Sequence, residues 1–246
     1  MFRDTPPVVK NLLIINVLMY LAMLMLGGQG IDLTDYFGLH YWKSEAFYPH
    51  QLVTYMFMHS FNITHLFFNM FAVWMFGKVL ESVWGSKRFL IYYMITGIGA
   101  GLIQLLVAYI RLIPLYDILS PEAIDYGLNH GLEIINSGMG RQDLVTDDNF
   151  LKFIFLINSN TVGASGSVFG VLLAFGMLFP NTELMLLFPP IPIKAKWFVI
   201  GYGAIELYSG VADRADDNVA HFAHLGGMLF GFFLIKYWQK KSNHFY

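Results

Sequence analysis

The sequence predicts an all-α fold, a polytopic membrane bundle of six transmembrane helices. The chain is 56% hydrophobic and only 13% charged, whereas a soluble chain of this length would need far more charge to cover its surface. In addition, six largely apolar segments approach the roughly 20 residues that a helix needs to cross a bilayer. The fifth of them is short and carries Glu206. The segments are 9–27, 64–84, 89–112, 162–180, 196–211 and 218–238.

The uneven distribution of charge predicts the orientation of these spans. An even number of spans places both termini on one side, and that side would hold 10 of the 15 Lys and Arg residues. Conversely, 13 of the 17 acidic residues fall in segments 28–63, 113–161 and 212–217. Because cytoplasmic loops carry the excess of Lys and Arg, we expect both termini to be cytoplasmic. The chain starts without a signal peptide's basic region and cleavage site, so the first segment should remain as a span.

One connection is too long to be a simple turn. Residues 113–161, between spans three and four, are acidic and interrupted by glycine, and their sequence predicts an extracytoplasmic insertion within a single domain over 1–246. Ser120-Pro121-Glu122 has the pattern of a helix start. The apolar run from Phe150 to Ile157 is too short to span and is expected to be re-entrant or interfacial.

A serine and a histidine stand out among the apolar segments. Ser165 opens the fourth span in the sequence Gly-Ala-Ser-Gly, and His224 lies in the sixth span before a pair of glycines. Nucleophilic or ionisable groups at membrane depth are costly, and are functional candidates for that reason. A serine nucleophile needs a base within hydrogen-bond reach, usually a neutral imidazole. The small residues Gly166 and Gly227 would let the two helices approach closely.

Four sequence blocks, taken together, resemble the rhomboid intramembrane serine proteases. Helix packing or a structural hydrogen bond could explain each block alone. It does not explain all four blocks in this order on a six-span chain. The resemblance covers about residues 48 to 235 apart from the insertion. The blocks are His59 with His65-Leu66-Phe67-Phe68-Asn69, then Phe76 to Glu81 with Trp84 to Phe89, then Gly163-Ala164-Ser165-Gly166, and finally Ala223-His224-Leu225-Gly226-Gly227 with Gly231.

The resemblance and the residues together imply a reaction. Ser165 would attack a peptide carbonyl while His224 takes its proton. No aspartate lies in a span to orient the imidazole, so we expect a Ser–His dyad, as the resemblance also implies. The oxyanion would be stabilised by the Ser165 backbone N–H at a helix start. The resemblance adds Asn69 and His65 as further donors.

Other residues are expected to support this pair. Gly163 would permit a tight turn into the helix, and Gly231 is spaced four residues from Gly227 for helix packing. Phe169 would share a helix face with Ser165 and pack on the imidazole. Many family members have tyrosine at the position of Phe169, so any role of a hydroxyl is lost here. His59 and His65 are six residues apart where the family often shows five, which leaves the role of His59 open.

Three other functions have less support in the sequence than a protease: a zinc hydrolase, a protein that only binds client helices, and a transporter. A zinc hydrolase lacks support because the chain has no His-Glu-x-x-His, and Glu206 lies more than three helical turns of sequence from the histidines. The absence of cysteine excludes thiolate metal sites. A rhomboid-like protein that only binds client helices would be signalled by loss of Ser165 or His224, and both are present. A transporter would be expected to show inverted repeats and paired broken helices, and neither is evident in the sequence.

The predicted protease activity implies a membrane location and membrane-embedded partners. We expect an integral protein of a bacterial cytoplasmic membrane whose site opens to the extracytoplasmic side. Its partners would be the lipid bilayer and single-span membrane protein substrates, without nucleic acid, and no metal or other cofactor is expected. The sequence carries no prediction of the oligomeric state.

Overall fold

The computed structural model of the chain describes residues 4–137, 140–185, 190–212 and 219–241. These residues are mostly helical, which confirms the expected all-α class, with one short antiparallel strand pair, β1 (Glu183–Met185) and β2 (Pro192–Lys194). A 3-10 turn covers Tyr55–Phe57 and a π turn covers Val73–Gly77. The helices are α1 (Pro7–Gly27), α2 (Leu33–Phe37), α3 (Gln51–Thr54), α4 (Ile63–Ala72), α5 (Lys78–Trp84), α6 (Ser86–Ile118), α7 (Pro121–Ser137), α8 (Gln142–Val145), α9 (Asp148–Asn158), α10 (Ser165–Leu178), α11 (Ala195–Ala212) and α12 (His221–Lys241).

Three helices in the described part of the chain are long and apolar enough to cross a membrane. They are Pro7–Gly27, Ile63–Trp84 and Ser86–Ile118, with mean hydropathies of 2.0, 1.4 and 1.8. The second consists of α4, the π turn and α5, which follow one another without a break. The third is longer at both ends than the expected span 89–112. The expected fourth span contains α10, which is apolar but has only 14 residues, or about 21 Å at 1.5 Å per residue. The expected fifth and sixth spans correspond to α11 and α12.

Helix α10 packs against both α6 and α12, which also contact each other, and 11 of its 14 residues are buried. Two hydrogen bonds join it to α6. The Tyr92 hydroxyl donates to the carbonyl of Gly170 at 2.8 Å, and the Ser167 hydroxyl donates to the carbonyl of Tyr93 at 2.8 Å. Between helices in lipid, close packing and hydrogen bonds of this kind supply the attraction, because the hydrophobic effect contributes little. They hold α10 in place from its first turn onward.

A buried carboxylate of α5 joins the starts of two other helices. Glu81, in the middle of α5, is 2% exposed and accepts the backbone N–H groups of Val8 and Val9 at 2.9 and 2.8 Å. It also accepts the Ser86 hydroxyl at 2.7 Å. The first N–H groups of a helix have no partner within it, and a negative charge there also interacts favourably with the helix dipole. Glu81 therefore closes the start of α1 and binds it to the junction of α5 and α6.

The described residues of segment 113–161 are mainly helical and do not form an open loop. The helix start expected at Ser120-Pro121-Glu122 is observed, since α7 begins at Pro121 and the Ser120 hydroxyl accepts the N–H of Ala123 at 3.2 Å. Helix α9 packs against α7, with fully buried Phe150 and Phe153 beside Gly127. The buried residues of the run 150–157 thus form one face of α9, whereas Lys152 and Phe155 are exposed.

Candidate active site

Ser165 follows a segment of chain that is held on both sides. Thr161 and Leu39 exchange two backbone hydrogen bonds, each 2.9 Å long. Two residues later, the N–H of Gly163 donates to the carbonyl of Tyr55 at 3.0 Å. Gly163 has φ of +133°, a conformation that is open to glycine and strained for other residues. These contacts direct the chain into α10 and fix the position of Ser165 at its first residue.

The structure brings His224 onto Ser165, although the two are 59 residues apart in the chain. The Nε2 atom of His224 lies 2.8 Å from the Oγ atom of Ser165, which is hydrogen-bond distance. The approach depends on Gly227 of α12, because a Cβ atom there would overlap the backbone carbonyl of Gly166 in α10. One turn further, Gly231 lies directly against the Tyr92 hydroxyl.

The imidazole of His224 is covered on one face by Phe169. The two rings are stacked, with centroids 4.3 Å apart and an interplanar angle of 7°. Phe169 belongs to the same helix as Ser165 and stands one turn beyond it. His224 is 8% exposed, and its packing against Phe169 fixes the plane of the imidazole ring.

His65 lies beside Gly163, in the segment that leads into α10. A Cβ atom on Gly163 would be 3.0 Å from His65 Nε2 and 3.4 Å from Ser165 Oγ, so this ring nitrogen and the serine flank the same small space. The other nitrogen, Nδ1, faces Ser60, whose N–H and Oγ lie 3.5 and 3.2 Å away. Because a backbone N–H can only donate, we assign Nδ1 as the acceptor and place the proton on Nε2.

His59 packs behind His65, edge to face, with ring centroids 5.1 Å apart. It is 1% exposed, and neither of its ring nitrogens has a hydrogen-bond partner among the described residues. Burial, and secondarily the neighbouring His65, lower the pKa of His59 to about 3. The ring is therefore uncharged at neutral pH and acts here as a packing partner of His65.

Asn69 stands one turn beyond His65 in α4 and is 6% exposed. Its side-chain amide donates to the carbonyl of His65 at 3.0 Å. Asn69 thus binds His65, and the two predicted side-chain oxyanion donors are neighbours on one face of the helix.

Comparison with known proteins agrees with the motifs. The family model for the Rhomboid domain matches residues 46–111 and 144–240, which together are more than half of the chain. This chain belongs to the rhomboid family. It is also 28% identical over 183 residues to Rhomboid protein 1, mitochondrial, of Saccharomyces cerevisiae. That match covers 73% of this chain and 40% of the yeast protein, so the chain spans less than half of the relative.

Family membership confirms the resemblance inferred from the four blocks. Together with the apolar helices, it identifies an integral membrane protein. Ser165, His224, His65 and Asn69 all lie inside the matched regions, whereas residues 112–143 lie between them.

The sequence reasoning missed one residue at the site of this rhomboid. Glu206 of α11 is 5% exposed, and its Oε2 atom lies 2.8 Å from Nδ1 of His224 and 2.7 Å from Nδ1 of His221. The sequence predicts a dyad because no aspartate lies in a span to orient the imidazole, whereas in the structure a glutamate lies at hydrogen-bond distance from His224. A carboxylate within an apolar span was itself a signal of function. The 18 residues between Glu206 and His224 give no sign in the sequence that the two side chains meet.

Glu206, His221 and His224 also have the composition of a metal site. Each offers one ligand atom, and these atoms lie within 4.8 Å of one another. A tetrahedral zinc site with normal bond lengths separates its ligand atoms by about 3.3 Å. The observed nitrogen–oxygen separations of 2.7 and 2.8 Å are shorter and match charge-assisted hydrogen bonds. The arrangement fits a carboxylate shared by two imidazoles better than a set of metal ligands.

Proposed function

We propose that this rhomboid is an intramembrane serine endopeptidase that cleaves transmembrane helices with Ser165 and His224. The observation that carries the proposal is the 2.8 Å separation between Ser165 Oγ and His224 Nε2. A serine hydroxyl becomes an effective nucleophile when a base within hydrogen-bond reach takes its proton, and imidazole is the usual base. Polar side chains such as these are energetically costly at membrane depth, and their presence there therefore favours a chemical function.

The reaction follows acyl-transfer chemistry. Ser165 Oγ attacks the carbonyl carbon of the scissile peptide while its proton passes to His224 Nε2. The C–N bond then breaks, and His224 returns the proton to the leaving amine, which leaves an ester on Ser165. A water molecule attacks this ester and gives its proton to His224. Breakage of the C–O bond releases the acid, and the proton returns to Ser165.

Three donors are proposed to stabilise the oxyanion. The N–H of Ser165 stands at the first position of α10, where the helix does not use it and the helix dipole favours negative charge. His65 presents a protonated Nε2 beside Gly163, and Asn69 has a second amide N–H beyond the one given to His65. Preorganised donors of this kind usually supply the largest share of catalysis in acyl transfer.

The length of α10 supports a site below the membrane surface. A span needs about 30 Å to cross the hydrocarbon core, and the 14 residues of α10 cover about 21 Å. We place Ser165 inside the bilayer, open to the extracytoplasmic side, with six spans and both termini in the cytoplasm of a bacterium. The segment 113–161 is then an extracytoplasmic insertion in a single domain of 1–246. The break in the family match between residues 111 and 144 supports that part of the proposal.

The proposed substrates are single-span membrane proteins. An extended peptide is needed at Ser165, so the substrate helix must unwind near the cleaved bond, and small or helix-breaking residues favour this. A catalytically weak rhomboid that only binds client helices is the second candidate. Incubating the purified protein with a single-span substrate in detergent separates the two. We expect cleavage, and labelling of Ser165 by a fluorophosphonate. Binding of the substrate with neither cleavage nor labelling would favour the second candidate.

Asn69→Ala is expected to lower turnover by roughly 10- to 1,000-fold, the range for one oxyanion donor, with little change in KM. The measurement is kcat and KM of the purified variant. Asn16→Ala is the matched control, because the buried amide of Asn16 makes the same bond to a carbonyl one turn earlier, in α1. If the loss at Asn69 appears wholly in KM, this residue contacts substrate rather than the oxyanion.

The proposed topology predicts opposite labelling of two exposed positions. The chain has no cysteine, so Asp125→Cys in α7 and Lys87→Cys at the start of α6 each introduce a single thiol. In intact cells, an impermeant thiol reagent should modify the first and should reach the second only after lysis. The reverse pattern would place the insertion and the site opening on the cytoplasmic side.

A further inference from the structure

The contacts of Glu206 extend the proposed dyad. We propose that Glu206 is a positioning residue that holds the imidazole of His224 in the tautomer and orientation required of the base, so that Ser165, His224 and Glu206 act as a triad. This inference rests on the proposed function. It stands on three distances: 2.8 Å from Ser165 Oγ to His224 Nε2, 2.8 Å from His224 Nδ1 to Glu206 Oε2, and 2.7 Å from His221 Nδ1 to the same oxygen.

The shared oxygen determines which partner donates. Glu206 Oε2 faces two imidazole nitrogens at hydrogen-bond distance. A protonated carboxyl could donate its one hydrogen to only one of them, whereas an ionised carboxylate oxygen has two lone pairs and accepts from both. The arrangement is fully satisfied when Glu206 is ionised and both histidines carry hydrogen on Nδ1.

This assignment leaves His224 with the correct chemistry at its other nitrogen. In a neutral imidazole one nitrogen donates and the other accepts, and the partner of the first decides the state of the second. With hydrogen on Nδ1, the Nε2 lone pair is directed at Ser165 Oγ and can take its proton. The opposite tautomer would place a hydrogen between Nε2 and Oγ and would block that transfer.

The structure also holds the carboxylate itself in place. Glu206 is 5% exposed, and its second contact, His221, stands in the same first turn of α12 as His224. The ring of His224 is fixed from another direction by Phe169, stacked at 4.3 Å. With the edge and face of the ring both fixed, little rotation of His224 remains. When Nε2 takes the serine proton, the resulting imidazolium lies against a buried negative charge, which stabilises it.

Replacing the carboxylate by the isosteric amide tests this role. In Glu206→Gln, we expect kcat to fall by roughly 10,000-fold, the usual effect of losing the acidic member of a triad, while KM stays near the wild-type value. Fluorophosphonate labelling of Ser165 should slow in parallel. The matched control is Glu183→Gln, the same change at an exposed position of β1, which should leave kcat and KM unchanged. A kcat of Glu206→Gln equal to wild type would overturn the proposal.

Two measurements on the wild-type protein keep the proposal testable if Glu206→Gln does not fold. Nitrogen-15 NMR of histidine-labelled protein, assigned with His224→Gln, should show hydrogen on Nδ1 of His224 and none on Nε2 at neutral pH. The opposite tautomer would overturn the proposal. Treatment with a chelator should leave activity intact, whereas loss of activity that added zinc restores would assign Glu206 and the two histidines to a metal instead.

The outcomes separate this inference from the proposed function. If wild-type protein neither cleaves a single-span substrate nor reacts with the fluorophosphonate, the protease assignment fails. If wild type is active and Glu206→Gln is equally active, the dyad stands and only the role of Glu206 fails.

Discussion

Replacing Ser165 by alanine is expected to lower kcat by roughly 10,000-fold or more, because removing one residue of a catalytic unit abolishes nearly all of the activity. His224→Ala should give a loss of similar size, since the serine then has no base. The measurement is cleavage of a single-span substrate by purified protein, with thermal unfolding in detergent to verify the fold. Ser165→Ala should melt near the wild-type temperature. His224→Ala should melt lower, because the buried carboxylate of Glu206 loses one of its donors.

Ser167→Ala is the matched control for this prediction. Ser167 stands in the same turn of α10, but its hydroxyl donates to the carbonyl of Tyr93 rather than contacting His224. Its removal loses one neutral hydrogen bond, about 1 kcal/mol of stability, and should leave most of the turnover. Substantial activity in Ser165→Ala, or equal losses in Ser165→Ala and Ser167→Ala, would contradict the assignment of Ser165 as the nucleophile.

Gly227→Ala is expected to lower kcat by roughly 100-fold or more, although it removes no reactive group. The added methyl would overlap the carbonyl of Gly166, and that carbonyl is backbone, so α12 must move away from α10. Such a movement lengthens the distance between Ser165 Oγ and His224 Nε2. A displacement of about 1 Å can cost a hundredfold in rate. The measurements are kcat on a single-span substrate and the rate of fluorophosphonate labelling.

Gly201→Ala provides the comparison for Gly227→Ala. Gly201 lies in α11, and a Cβ atom there would have no described heavy atom within 4 Å. Alanine favours the helix over glycine by up to about 1 kcal/mol, so Gly201→Ala should be fully active and at least as stable as wild type. Full activity in Gly227→Ala would mean that the two helices need not approach so closely for catalysis.

The sequence predicted the parts of this molecule that depend on local pattern. Apolar length predicted Pro7–Gly27 and Ile63–Trp84 within a few residues, and the Ser-Pro-Glu pattern predicted the start of α7. It did not predict that α6 continues to Ile118 with Pro114 inside it, since a proline normally suggests a helix end. The helices of segment 113–161 were also missed in part, because the partners of Phe150 and Phe153 are set by tertiary packing.

At the site, the limit of sequence reasoning is the packing of α11 against α12. The glycine-framed motifs identified Ser165 and His224 as candidates before any distance was known. Glu206 carries no motif, and its separation from His224 in sequence gave no sign that the two side chains meet. Two helices joined by a short connection can bring such residues together at any depth, and only the coordinates fix the depth.

The two helix starts joined at Glu81 bear on the order in which the protein assembles. Synthesis delivers the N-terminal helices first, and Val8 and Val9 wait 73 and 72 residues for their acceptor. Once Glu81 has been made, Ser86 follows within five residues, and the starts of α1 and α6 can be bound together. All of these residues are synthesised long before Ser165. The helix that carries the proposed nucleophile is therefore made after every one of these partners of Glu81 is available.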